Sequence, residues 1–206
     1  MRTTLRHVTV GAMVTLGLAG VGPTASADQT DPLTIVLRVR DTARVPDDVL
    51  TDAQTAVTAI FHQAGVQTVW RAPSSSSVNT DGSREPRITI AILTHDQAER
   101  LQSGLPRYAL GLALNSSPTT RANMAYVFYQ RVKPLTGANG VTLAPVLGAA
   151  MAHEIGHLLL DNAHSRTGLM RADWTKADLQ HIQNSQLFFT ADQGELIRSQ
   201  IAGSHK

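Results

Sequence analysis

The sequence predicts an α+β domain, in which a twisted mixed β-sheet packs against helices. Two observations lead to this class. Short runs rich in β-branched and aromatic residues recur through the first part of the chain, as is typical of strands. Longer segments with apolar residues at helical spacing lie between these runs and dominate the last part of the chain. Since each element must bury its apolar face, the two patterns together indicate one sheet with helices packed on it.

The predicted strands are short segments dense in Val, Ile, Leu, Thr and aromatic side chains. They comprise residues 33–39, 66–70, 88–93, 110–114 and 125–129. The segment 110–114 is short and is expected at the edge of the sheet. The resulting order of strand, helix, strand, strand, edge strand, strand and long helix suits a mixed sheet with helices packed on it.

The predicted helices are identified by apolar spacing and by their ends. The first opens at Pro46, with acidic residues in its first turn. The second covers residues 143–160 and is apolar along nearly its whole length. A third begins after Thr175, whose spacing to Asp178 is that of a capping box. A last helix follows Thr190, so that two helices complete the core after the long apolar one.

The apolar helix contains the segment His-Glu-Ile-Gly-His at residues 153–157. Residues four apart share a helix face, so His153 and His157 can present two imidazoles to one zinc ion. Glu154 is not needed as a ligand. Its carboxylate can take a proton from a zinc-bound water and pass it to a leaving amine. Apolar flanks favour this interpretation over that of two solvated surface histidines.

The segment after this helix reads Asn-Ala-His-Ser-Arg-Thr-Gly-Leu-Met over residues 162–170. It supplies a third histidine, His164, and then Met170. Together with the H-E-x-x-H motif, it resembles the metzincin zinc peptidases, whose pattern is H-E-x-x-H-x-x-G-x-x-H followed by a Met-turn. The His-Ser-x-x-Gly-Leu-Met run looks most like the matrixin branch. Leu160 stands where that pattern has glycine, and His164 comes one residue later than the third histidine of the pattern.

The resemblance implies a zincin-like fold whose active-site helix carries H-E-x-x-H. It also implies a zinc ion held by three histidines, His153, His157 and His164, with peptide-bond hydrolysis as the reaction. Asp161 is the alternative third ligand. It could also accept a hydrogen bond from a ligand histidine or simply end the helix. Imidazole suits zinc at least as well as carboxylate, so His164 is preferred.

The first 27 residues have the pattern of a secretory signal peptide. A basic start precedes a short apolar stretch, and Ala25-Ser26-Ala27 forms a small-x-small cleavage site. We therefore expect a secreted or periplasmic protein that is cut near Ala27, with residues 28–206 forming a single domain. No later segment is apolar over a length that spans a bilayer, so no stable membrane association is expected.

Composition excludes several classes of function. The chain has 18 Lys+Arg and 16 Asp+Glu, and two of the arginines, Arg2 and Arg6, lie in the predicted signal. The remaining chain is formally neutral, so the basic isoelectric point does not indicate nucleic-acid binding. The chain has no cysteine, which excludes disulfides, cysteine nucleophiles and thiolate zinc sites. The expected partner is a peptide or protein substrate, and the expected state is a monomer.

These patterns predict a secreted, single-domain, zinc-dependent endopeptidase with Glu154 as general base. Two alternatives stay open. One is a non-catalytic secreted domain that keeps the zincin fold and a structural zinc. The other is a zinc amidohydrolase that acts on a non-peptide substrate. Glu154 favours an enzyme, because a structural zinc site has no use for a carboxylate beside its first ligand.

Overall fold

The computed structural model describes residues 32–72, 86–101, 109–115, 123–137, 140–160 and 164–204. All of them fall in one structural unit, Pro32–Lys206. The predicted signal segment lies outside the described residues, and so does Asp161. Within the described segments, no helix has both the length and the apolar character needed to cross a bilayer.

One mixed sheet of five strands forms within these segments. The strands are β1 (Thr34–Asp41), β2 (Gln67–Arg71), β3 (Arg87–Leu93), β4 (Gly111–Asn115) and β5 (Asn123–Phe128). Their spatial order is β2-β1-β3-β5-β4. All neighbouring pairs are parallel except β4 and β5, which are antiparallel. The predicted mixed sheet is confirmed, and the segment predicted at a sheet edge forms β4, which is an edge strand.

Six α-helices accompany the sheet in the described part of the chain. They are α1 (Asp47–Gln63), α2 (His95–Leu101), α3 (Tyr129–Val132), α4 (Leu143–Leu159), α5 (Lys176–Gln183) and α6 (Ala191–Ser204). Four of them were predicted, and the two short helices α2 and α3 were not. The prediction that Tyr129 ends a strand is wrong, since β5 stops at Phe128 and Tyr129 begins α3. Tyr129 is buried. A buried apolar side chain suits both a strand and a helix, so its character could not distinguish the two elements.

Helix α4 lies at the centre of the core. Every residue from Val146 to Leu159 is buried, and the helix contacts α1, α5, α6, β4 and β5. Gly148 allows the close approach of α1, because a Cβ atom there would lie 2.6 Å from the carbonyl oxygen of Ala53. A helix that is buried on all sides cannot rotate or slide without disturbing its neighbours, so side chains on α4 have fixed positions.

The last two helices close the core after α4. At the start of α5 the side chain of Thr175 accepts a hydrogen bond from the backbone N–H of Asp178, and the Asp178 carboxylate accepts one from the N–H of Thr175. The predicted capping box is therefore confirmed. In α6, Ile197 and Ile201 are fully buried, whereas Leu196 is exposed.

Candidate metal centre

Three histidines converge at one point of the structure. His153 and His157 project from successive turns of α4, and His164 lies on the segment that follows the helix. One ring nitrogen from each lies within 4.8 Å of those of the other two. The ring centroids are 4.7 Å apart for His153 and His157, 5.5 Å for His153 and His164, and 4.6 Å for His157 and His164. Three imidazoles in this arrangement could hold a metal ion.

The second ring nitrogen of His153 fixes which nitrogen is available to a metal. Nδ1 of His153 lies 2.8 Å from the carbonyl oxygen of Leu169. A carbonyl can only accept, so Nδ1 carries the proton and Nε2 keeps its lone pair. The same carbonyl accepts a hydrogen bond of 3.1 Å from Nε1 of Trp174. Metal-bound histidines usually have such a partner on their other nitrogen, because it orients the ring and raises its basicity.

Burial keeps the two helical histidines neutral. It lowers the pKa of His153 to about 4, partly opposed by the hydrogen bond to Leu169. Burial also lowers the pKa of His157 to about 3, with a smaller contribution from the neighbouring His153 and His164. Nδ1 of His157 is buried and has no hydrogen-bond partner among the described residues. Neutral imidazole is the form that binds metal, so these rings are in the required state near neutral pH.

A tight turn brings His164 to the other two histidines. The backbone N–H of Ser165 donates a 2.9 Å hydrogen bond to the carbonyl of Met170, which closes the turn. Gly168 has a φ of +74°, and a Cβ atom there would lie 2.9 Å from the carbonyl oxygen of Phe188. Glycine is therefore required for both conformation and space. His164 is exposed at the start of this turn, unlike its two buried partners.

Met170 packs directly beneath the motif helix. It is fully buried, and a Cβ atom on Gly156 would lie 2.5 Å from its Sδ atom and 2.8 Å from Cε1 of Phe189. The glycine between the two histidines of α4 thus makes room for the turn that carries His164. Met170 therefore supports the site from below.

Glu154 is buried next to the histidines, between α4 and β4. Its side chain is packed so closely against β4 that a Cβ atom on Gly111 would lie 2.6 Å from the carboxyl carbon. Burial raises the pKa of Glu154 to about 8. An isolated glycine inside a strand often marks the close approach of another group, and Gly111 accommodates this carboxyl group. Close packing therefore restricts the position of the carboxyl group, and its raised pKa allows it to gain or lose a proton near neutral pH.

A cleft of about 380 Å³ opens over the histidines and Glu154. Residues 109–113, which include most of β4, form one wall, and Arg171, Ala172 and Trp174 also line it. A few polar groups share this cavity with mainly small and aliphatic side chains, which is typical of ligand sites. The structure thus brings His153, His157, His164 and Glu154 to one accessible space.

Four contributors to this site were not identified from the sequence. Arg171 and Trp174 follow the turn and gave no ligand-spacing pattern. The Leu169 carbonyl is a backbone group, which any residue type would supply. Gly111 could have been noticed as a glycine within a predicted strand. The other histidines of the described chain, His62, His95 and His181, are exposed and lie outside the cluster.

Comparisons with protein families and with curated proteins give no match. The functional conclusion therefore depends on the geometry of the histidine cluster, the burial of Glu154 and the cleft above them.

We expect Glu154 to make the metal-free protein less stable as pH rises from 4.5 to about 8, and this fall should be the net trend above pH 6.5, where the buried histidines no longer act. Folding raises the pKa of Glu154 from 4.5 to about 8, so the folded state holds a proton that the unfolded state releases. The stabilising contribution of this neutral carboxyl is complete below pH 4.5 and is lost as pH rises through its folded pKa. Glu154→Gln should remove this loss, because the amide cannot ionise.

The two buried histidines produce the opposite trend on the acid side. Their pKa values fall on folding from 6.5 to about 4 and about 3, so the unfolded state binds more protons in that window and stability drops as pH falls below 6.5. Thermal unfolding in the presence of a chelator, followed from about pH 5 to about pH 9, measures both the loss of stability at acid pH and the loss at alkaline pH. If the stability of Glu154→Gln falls as steeply at alkaline pH as that of the wild-type protein, the assignment of this loss to Glu154 is wrong.

Proposed function

We propose that this protein is a secreted, zinc-dependent endopeptidase with a metzincin-type, zincin-like fold. The observation that carries the proposal is the convergence of three histidines with a buried carboxyl group at one cleft. A metal-binding function alone would need the histidines but not Glu154. Export rests on the predicted signal peptide, which the structure does not describe.

The arrangement of elements supports the family assignment. Strand, helix, strand, strand, edge strand, strand and motif helix follow one another in the order that the resemblance implies, with the short helices α2 and α3 as additions. The turn after His164 ends at Met170, which lies under the motif helix, as a Met-turn would. These features are independent of the H-E-x-x-H spacing from which the proposal began.

The histidine cluster fits zinc in its donor chemistry. Zinc accepts three imidazole nitrogens and leaves a fourth position for water or substrate in catalytic sites. When bound, zinc would supply Lewis acidity, which polarises the scissile carbonyl and acidifies a water molecule. The chain contributes the geometry: α4 fixes His153 and His157, the Leu169 carbonyl orients the His153 ring, and the turn presents His164.

Glu154 would move the proton in this reaction. In the field of a bound cation its pKa would be lower than in the metal-free protein, because an opposite charge favours the carboxylate. The carboxylate takes a proton from the attacking water as the bond to the carbonyl carbon forms. It then gives that proton to the amine nitrogen as the peptide bond breaks. Contact with Gly111 keeps the carboxyl in place during both transfers.

The cleft wall formed by β4 suits an extended peptide. β4 is an edge strand whose described partner is β5 on one side, and its residues line the cleft together with Glu154. A peptide could add to this edge through main-chain hydrogen bonds, which hold a substrate without demanding one sequence. The proposed substrates are therefore peptide segments in extended conformation.

Digestion of a peptide library by the protein from residue 28 onward tests the proposal. We expect zinc in near-stoichiometric amount, cleavage of internal peptide bonds, loss of cleavage after chelation and recovery after zinc is returned. A zinc-loaded protein that cleaves no peptide would instead favour the non-catalytic domain. Hydrolysis restricted to non-peptide amides would favour the amidohydrolase.

A further inference from the structure

Arg171 is the one permanently charged side chain among the residues that line the cleft within the described chain. Glu154 is buried in the floor, and the remaining lining residues are histidines, Trp174 or small and aliphatic side chains. No other permanently charged side chain of the described lining competes with this guanidinium, and its ion-pair partner Asp178 lies outside the lining. The guanidinium therefore adds an electrostatic preference to a cleft that otherwise selects by shape and main-chain pairing.

The turn places Arg171 beside the histidine cluster. Ser165 and Arg171 lie side by side, paired like residues of neighbouring strands, and Ser165 directly follows His164. Arg171 also directly follows Met170, the residue beneath α4. Its side chain is 38% exposed and lines the cleft, so the guanidinium is accessible to a ligand there.

Asp178 orients the guanidinium but does not saturate it. The closest approach between Arg171 and the Asp178 carboxylate is 3.6 Å, which is longer than a hydrogen bond. The same carboxylate oxygen accepts hydrogen bonds of 2.8 Å and 2.7 Å from the N–H and hydroxyl of Thr175. Asp178 is thus committed to the α5 cap. The described residues leave the hydrogen-bond donors of Arg171 available to a ligand.

We propose that Arg171 binds a carboxylate of the substrate and makes the site selective for acidic peptides. Arginine presents a planar fork of donors that matches a carboxylate in two parallel hydrogen bonds. The carboxylate belongs either to an acidic side chain close to the cleaved bond or to the C-terminus of the peptide. The proposal rests on the proposed function for the identity of the ligand as a peptide, but its test uses binding alone.

Peptide binding to the Glu154→Gln protein measures the preference without hydrolysis. The probes are short, blocked, alanine-based peptides that differ only by Glu or Gln, with this position scanned along the peptide. Fluorescence of Trp174, which lines the cleft, reports binding. We expect the best Glu peptide to bind about fivefold to tenfold more tightly than its Gln partner, as for a partly exposed charge-assisted pair.

Three further variants in the same background identify the residue responsible. Arg171→Ala should bind both peptides equally, and Arg171→Lys should keep part of the preference because it keeps the charge. Arg166→Ala is the matched control, since Arg166 is an exposed arginine of the same turn that does not line the cleft. It should keep the full preference. A Glu preference that survives Arg171→Ala, or that is absent from the parent protein, overturns the proposal.

A third peptide, with Gln and a free C-terminus, separates the two sources of carboxylate. Tighter binding of the blocked Glu peptide assigns the contact to a side chain, and tighter binding of the unblocked peptide assigns it to a chain terminus. Failure of the proposed function has a different signature. In that case the wild-type protein hydrolyses no peptide, while the binding preference and its loss in Arg171→Ala are measured independently.

Discussion

Replacing Glu154 by glutamine is expected to abolish peptide hydrolysis while leaving the bound metal in place. The substitution keeps the size of the side chain and its contact with Gly111 but removes the group that carries the proton. General acid–base catalysis contributes about 10²–10⁴-fold to a rate, so the loss in kcat/KM should be at least that large. Metal content should be unchanged, because Glu154 does not belong to the ligand cluster.

Glu195→Gln is the matched control for this experiment, since Glu195 is an exposed carboxylate on α6, far along the chain from the motif. It should leave both kcat/KM and metal content unaltered. The role assigned to Glu154 is wrong if Glu154→Gln cleaves peptides as fast as the wild-type protein. A loss of metal in Glu154→Gln would point instead to a carboxylate that helps to bind the ion.

Replacing His164 by alanine is expected to weaken metal binding by at least about 100-fold, since loss of a partner outside the ligand shell already costs up to that amount. The metal-free protein should unfold at nearly the same temperature as the wild type, because His164 is exposed and supports no part of the core. Competition with a chromophoric chelator measures the affinity. His181→Ala, at an exposed histidine of α5, should bind metal like the wild type.

Asp161→Ala decides the alternative that the sequence left open. If Asp161 is the third ligand, its replacement should cost more affinity than that of His164. The position of His164 within 4.8 Å of the other two histidines favours the opposite ranking. An equal loss in both variants would indicate that Asp161 supports a ligand histidine through a hydrogen bond rather than binding the ion.

The sheet and the long helices could be predicted because their apolar patterns are strong. α4 spans 17 residues and is apolar except at His153, Glu154 and His157, and β3 is an uninterrupted run of Ile, Thr, Ala and Leu after Arg87. The capping box of α5 depends on two side chains at a fixed spacing, which can be seen directly in the sequence. By contrast, α2 and α3 span seven and four residues, too few for a helical period to be distinguished from a turn.

Only the part of the candidate site that lies within one local segment of the sequence could be predicted. His153, Glu154 and His157 lie on one helix, so their spacing determines their relative positions. The contact between Glu154 and Gly111 joins residues 43 positions apart in the sequence, and no local pattern specifies such a pairing. The Leu169 carbonyl belongs to the backbone, so its role depends on the path of the chain and not on the leucine side chain.

The burial of two histidines and a glutamate in α4 affects which substitutions the protein can accumulate. Leucines at these three positions would match the helix around them and would remove polar groups whose burial costs about 1–3 kcal/mol each on mutational scales. Apolar substitutions at these positions would therefore give a more stable protein that lacks the proposed chemistry, which is the usual trade-off between stability and activity. A screen of the metal-free protein for thermostable variants should recover apolar replacements at His153, Glu154 and His157 early, and the candidate metal site would be lost first.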